Sequence, residues 1–436
     1  MSKTTPSTQE WKFQQVFGDT KSEEAAEADI ISAVEFDPTG NYLAIGDRGG
    51  RVVILERNNQ KRGAEYKVMT EFQSHEAEFD YLKSLEIEEK INKIKWCSPH
   101  TSNSHYLLTT NDKTIKLWKV YEKHQKKISN TNMNGSLINA SEVKSLRVPK
   151  VTFGDKIMSH VSRKVYANAH AYHINSISLN SDQETFISAD DLRINLWHIN
   201  HIRDSHTVVD IKPANMEDLS EVITSSSFHP SQCHTFMYSS SKGTIKLGDL
   251  RQSSTCSSFT KGFDVEEDPS SKTFFSEIIA SVSDAKFSPD GRYILSRDYM
   301  TLKIWDVKME NKPIKVLNIH EPLRSKLCDL YENDCIFDKF ECCFSGDGNN
   351  VLTGSYKNHL HIFDRQGRTH SHIEASTSPA IKKKKTVKSL IPGRPKKKDD
   401  TFETPDFSKK CLHLAWHPQE NIIAVSSVNS LYIFAS

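Results

Sequence analysis

Glycine is scarce in this chain, 17 of 436 residues. Nowhere does it form the Gly-rich cradle with a following Lys-Ser/Thr that a phosphate-binding loop requires. There is also no G-x-S-x-G elbow and no H-E-x-x-H motif, and the loop serines have no paired base, so no enzyme is expected. Cysteine is sparse as well: eight residues, no C-x-x-C pair, and Cys342 adjacent to Cys343, a poor geometry for bridging each other. A disulfide scaffold is excluded and reduced thiols are left. The close histidine sets (His198, His201 and His206; His359 and His361; His413 and His417) have no Cys or carboxylate frame around them. His359 and His361 share a face of what reads as a strand, but two ligands are too few to hold zinc securely. Neither a metal nor another cofactor is expected. No apolar run reaches the length of a membrane-spanning helix, and the first thirty residues hold no apolar signal core, so the expectation is a soluble, cytoplasmic chain. Excess charge is missing too: 57 Lys and Arg stand against 56 Asp and Glu. Nucleic acid or an anionic membrane would have to be held by a local patch, and neither is an expected partner.

What the chain does have is a repeated phrase. A β-rich segment, a turn, a second small-residue strand, a polar turn and an alternating third strand ending in a bulky residue recur seven times. Ile31-SAVEFDPTGNYLAIGDRGGRVVILE-Arg57 is the first copy and Ser283-DAKFSPDGRYILSRDYMTLKIWD-Val307 the fifth. The bulky position falls on Leu55, Trp118, Trp197, Gly248, Trp305, Phe363 and Phe434, with Gly248 the one exception. The period is two: in Thr114-Ile-Lys-Leu-Trp118, Ile115 and Leu117 share one face. Turns such as Asp37-Pro-Thr-Gly40 and Ser288-Pro-Asp-Gly291 use Pro to fix φ and Gly to tolerate positive φ. The pattern resembles the WD-repeat signature, although Trp-Asp ends a third strand only at Trp305-Asp306 and Ala169-His170 is the nearest substitute for Gly-His.

The predicted fold is therefore all-β: a seven-bladed WD-repeat β-propeller over residues 8–436. Trp11-KFQQV-Phe17 is apolar enough to close the last blade, which would otherwise lack its outer strand and expose an open edge.

Spacing between anchors always exceeds the roughly 42 residues of a standard blade, so insertions must be placed. The first, Phe72–Lys90, repeats Phe79, Leu82 and Leu85 at intervals of three. It reads as a short amphipathic helix or as an apolar extended lip, packed on its own blade or offered to a partner. The second, residues 121–163, carries the hairpin signal Asn134-Gly135 and a β-branched return strand. It reads as a β-hairpin arm projecting from blade 2 to dock another protein, or as a hairpin folded back on that blade. The third, residues 371–405, holds nine basic residues and no acid between Ile381 and Lys398. It has no interleaved aromatics for nucleic acid, which leaves a solvated, mobile loop or a nuclear-import signal.

Longer stretches resemble one family, the WD-repeat B-type regulatory subunits of protein phosphatase 2A. Glu78-FDYLKSLEIEEKINKI-Lys95, Ser188-ADDLRINLW-His198, Val209-DIKPANMEDLSEVIT-Ser225 and Arg324-SKLCDLYENDCIFDKFECC-Phe344 carry the resemblance, which runs from Glu27 to Phe434. It departs in the N-terminal tail, the Ser129–Ser141 hairpin tip and the Ser371–Pro405 loop. The resemblance implies a non-catalytic subunit that binds a HEAT-repeat scaffold subunit, with the catalytic subunit as third partner, and recruits phosphoprotein substrates. It implies scaffold contacts at Leu146, Val148 and Pro149. It implies a substrate surface on Glu27, Asp47, Arg48, Leu82, Lys83, His173, Asp191, Leu219, Tyr331, Phe337 and Lys339. From the residues themselves, Glu27, Asp29, Asp47, Asp190 and Asp191 all come from turns expected to converge on one rim. An acidic groove for basic segments is expected there, with Leu219, Tyr331 and Phe337 as apolar anchors. A ubiquitin-ligase adaptor and a nucleic-acid-binding propeller remain the rival classes.

Overall fold

The computed structural model describes residues 10–18, 25–58, 63–101, 104–129, 148–200, 205–252, 261–265, 273–309, 312–376 and 407–436. Among them are seven four-stranded antiparallel sheets and a two-stranded one. Six of the large sheets are consecutive in sequence, spanning Ile31–Gln73, Lys93–Tyr166, Ser176–Asp210, Ile223–Phe263, Val282–Asn318 and Cys342–Glu374. The seventh combines Leu414–Trp416, Ile422–Ser427 and Ser430–Ala435 with Lys12–Phe17 from the other end of the chain. Inner strands of successive sheets pack on one another, and the first also packs on the seventh, so the series closes. The architecture is all-β and consistent with a WD-repeat propeller.

The repeated anchor explains how each sheet is built. Leu55, Trp118, Trp197, Trp305, Phe363 and Phe434 all lie on third strands, each directly opposite an apolar residue of the second strand. Gly248 occupies the same register opposite Phe236, and a Cβ there would stand 2.4 Å from the Phe236 ring. The aromatic missing from one strand is supplied by its neighbour, so packing density is kept.

Trp197 shows how the polar atoms of such a core are satisfied. Its indole N–H donates to Ser188 Oγ at 2.8 Å, Ser188 donates to His170 Nε2 at 2.6 Å, and His170 Nδ1 donates to Asp190 at 2.9 Å. All four are buried, and a buried chain of this kind specifies geometry because each unmade bond would cost roughly 1–3 kcal/mol. Ala169-His170 thus takes the place of the missing Gly-His pair.

The ring closes on a mainly apolar seam of Val34, Phe36, Leu43, Leu55, Ile422, Leu431 and Ile433. Lys12–Phe17 pairs antiparallel with Ser430–Ala435. Outside that seam Arg57 of the first sheet donates both terminal nitrogens to Glu420 of the seventh, the stronger fork geometry for such a pair. Gly40 sits at φ +75°, and any Cβ would meet the His417 ring across the same seam at 1.9 Å.

The insertions resolve in part. Glu78–Asp80 and Leu85–Ile87 pair as a small hairpin, so the first insertion is an extended lip and the helical alternative is excluded. Its turn is tied by the Leu82 and Lys83 amides donating to Asp80. In the second, Ile115–Ser129 pairs with Lys150–Tyr166 out to Ser129 opposite Lys150, well past the neighbouring strand, which ends its pairing at Tyr121. Residues 130–147, including Asn134-Gly135 and Leu146, lie outside the described residues. The third insertion begins later than its expected start at residue 371. His370–Glu374 is the outer strand of the sixth sheet, because its period-two alternation places Ile373 opposite Leu360. The basic run of residues 381–398 lies outside the described residues.

Candidate functional site

Antiparallel pairing decides which connections share an end. The turn between second and third strands lies at the same end of a sheet as the link into the next sheet. All eleven candidate residues fall on such segments. Asp47, Arg48 and Asp191 are at second-to-third turns. Leu82, Lys83, His173, Leu219, Tyr331, Phe337 and Lys339 are on links between sheets, and Glu27 lies on the link into the first. Val148 and Pro149 belong to a third-to-fourth connection and lie at the opposite end.

The acidic rim is largely neutralised from within. Arg48 donates to Glu27 at 2.7 Å, and Arg51 joins Asp47 (2.7 Å) and Asp29. Asp47 is buried and also accepts the Arg51 amide, so it holds the turn. Burial raises its carboxyl above the usual range, against the pull of Arg51. Asp190 is fully buried. Burial alone would raise its carboxyl, but His170 and the amides of Leu192 and Arg193 bring it below the usual range. Asp191 is half-buried and raised, first by burial and then by Asp190, with Lys339 and His173 opposing. Arg193 does not pair with it but reaches Asp210 at 3.0 Å. Of the five acids, only Asp191 presents a carboxylate not already taken by a close partner among the described residues.

Basic groups missed by the sequence reading share this face. Lys90 is depressed by burial and then by Arg48, with Lys339 adding. Lys113 is depressed by burial and then by Lys83. The surface is therefore mixed, and the expected acidic groove is corrected: the arginines that neutralise it come from the same turns as the acids. His173 lies exposed, its Nδ1 3.6 Å from Asp112.

Apolar anchors complete the face. Tyr331 and Phe337 stand 6.0 Å apart between ring centres, and Phe274 joins them, 5.7 Å from Tyr331 and 70% exposed. Phe274 was missed, though two adjacent phenylalanines in a polar stretch, Phe274-Phe275, were its signal. Phe337 also lines a cavity of about 720 Å³ with Ser220, next to Leu219, and with Lys242, Glu277 and Lys303. On the lip, Leu82 is 99% exposed beside Tyr81 and Phe79.

Residues 272–306, the stretch holding Trp305-Asp306, match the WD domain, G-beta repeat family. The chain is 52% identical over 475 residues to the serine/threonine-protein phosphatase 2A regulatory subunit phr2AB of Dictyostelium discoideum, covering 98% of each chain. It is 54% identical over 459 residues to the regulatory B subunit of protein phosphatase PP2A of Schizosaccharomyces pombe, again covering 98% of each. The chain belongs to the regulatory B subunits of protein phosphatase 2A.

Its role is regulatory and non-catalytic. At the end opposite the mixed face, this regulatory subunit exposes a run of apolar side chains along its long hairpin: Ile128, Val148, Val151, Phe153 and Ile157, with Val148 82% exposed. Their strands also carry Lys123, Lys126 and Lys127.

Proposed function

We propose that this regulatory subunit is a seven-bladed propeller that seats on the HEAT-repeat scaffold subunit through its hairpin arm. Phosphoprotein substrates then dock on the opposite end, beside the catalytic subunit. Residues 8–436 form the propeller in this reading and residues 121–163 the arm. Family membership supports the regulatory part. The observation that carries the rest is the separation of two unlike surfaces: exposed aliphatic residues along the hairpin, and at the other end an aromatic platform beside Asp191, Lys339 and Arg48. Catalysis comes from the partner, and this chain supplies proximity and orientation.

The test is reconstitution with scaffold and catalytic subunits. Val148→Asp with Phe153→Asp should prevent co-elution of the three chains while leaving the thermal unfolding of the regulatory subunit unchanged. Normal assembly of that variant would remove the arm from this reading.

A further inference from the structure

The link between the fifth and sixth sheets places Tyr331, Phe337 and Lys339 on the docking face, and its inner side is unusual. From Ile336 to Phe340 the chain alternates: Ile336 and Phe340 are buried, Phe337 and Lys339 are exposed, and Asp338 lies half-buried between them. Its carboxylate does not face solvent. One oxygen pairs with Lys410, and the other accepts from Tyr356 Oη at 2.9 Å. Tyr356 is buried, shares its proton with the Cys335 carbonyl at 2.7 Å, and meets Tyr299 Oη at 2.9 Å.

Lys410 and its neighbours come from another part of the chain. The described chain resumes at Phe407, whose ring stands 5.1 Å from Tyr356. The Lys357 amide donates to Lys409 O, and Tyr356 bridges to Lys410. The segment that closes the third insertion is thereby fastened to the back of the docking segment.

We infer that Asp338, clamped by Lys410 and Tyr356, is a positioning residue that presents Phe337 and Lys339 to docked protein substrates. Residues Phe407–Lys410 are, by the same clamp, part of the docking apparatus. The inference rests on the docking-face reading above. Ile336 and Phe340 already bury the segment, so its retention in the fold does not need the carboxylate. What the clamp fixes is direction: Asp338 is the extended cap of the 3-10 turn Cys335–Phe337, so holding it inward fixes where that turn ends and sets its two neighbours, Phe337 and Lys339, on the outer side.

The experiment uses the reconstituted holoenzyme with Asp338→Asn, Lys410→Met, Lys410→Arg and Phe337→Ala, assayed on a phosphoprotein and on a small aryl phosphate. Asp338→Asn and Lys410→Met should raise KM for the phosphoprotein by about tenfold, with kcat, aryl phosphate turnover and melting temperature little changed. Lys410→Arg should restore the KM. If Phe337→Ala raises KM but neither clamp variant does, the inference is overturned and the docking face stands. If Phe337→Ala has no effect, the docking-face reading fails and takes the inference with it. Loss of folding in both clamp variants would also overturn it, because the clamp would then be structural.

Discussion

Asp190 and Asp191 are neighbours in sequence with opposite surroundings. The carboxylate of Asp190 is sealed under the turn, bound by His170 at 2.9 Å and by the amides of Leu192 and Arg193 at 2.8 and 2.7 Å. That of Asp191 stands half-open at the end of the fold shared by the second-to-third turns and the links between sheets, within the fields of Lys339 and His173. One carboxylate therefore serves the fold, and the other has no close side-chain partner among the described residues.

Replacing Asp191 with Lys should leave trimer assembly and aryl phosphate turnover unchanged. Dephosphorylation of a protein substrate with basic flanks should fall by about tenfold, the loss expected for one charge-assisted hydrogen bond of roughly 1.5–3 kcal/mol. An equal fall in both activities would make Asp191 structural, and no fall in either would take it off the docking surface.

Asp190→Asn should behave in the contrary way. The buried His170 would lose its acceptor, at a cost of about 1–3 kcal/mol, and the chain Trp197–Ser188–His170 would lose its fixed tautomer. Calorimetry should show a lowered melting temperature, while the KM for protein substrate in the surviving fold stays put. An unshifted melting temperature would show that the buried chain contributes nothing.

Gly248→Leu should destabilise the fourth sheet by about 1–3 kcal/mol, since the Phe236 ring already fills the space its side chain would enter. Adding Phe236→Ala should recover part of that loss in a double-mutant cycle. Additive losses would mean that the two positions do not share one packing site.

Acid should weaken the fold through two histidines, His75 buried and His361 half-buried. His75 is held at a pKa of about 3 by burial and then Lys116, and His361 at about 3 by burial and then His372, His370 and Arg297. An unfolded histidine titrates at about 6.5. Between those values the unfolded chain binds more protons, so the stability is fully present above about pH 6.5 and is lost as pH falls toward 3. The melting temperature should drop steadily from about pH 7 to about pH 5, and His361→Gln should flatten that slope. A variant with the parent's slope would show that His361 does not carry the effect.

The strands and their anchors were legible because both depend on local order. A period of two sorts side chains onto faces whatever the rest of the chain does, and Pro and Gly set the turns at the sequence positions where they stand. The register that puts Trp118, Trp197 and Trp305 opposite Leu107, Phe186 and Ile294 follows from that alternation and short turns. The helical alternative for the lip was left open because three apolar residues at intervals of three fit either form until pairing decides.

What joins between strands, turns and links was not legible, since it depends on strand pairing and ring closure and not on any period. His359 and His361 read as an isolated pair, yet the outer strand brings His370 within 2.9 Å of His361 and sets the His372 ring 4.1 Å from that of His359. Five acids read as one acidic rim, yet Arg48 and Arg51 fold back on three of them. Phe274 reaches Tyr331 from the preceding link, and Lys410 reaches Asp338 from 72 residues away. An all-β repeat, its turns and its anchors were thus written in the order of residues, because neighbours along the chain set them. Which charges remain free at the end where these connections meet, and which aromatics stand together there, was settled only in three dimensions, because seven sheets must close before their connecting segments share one end.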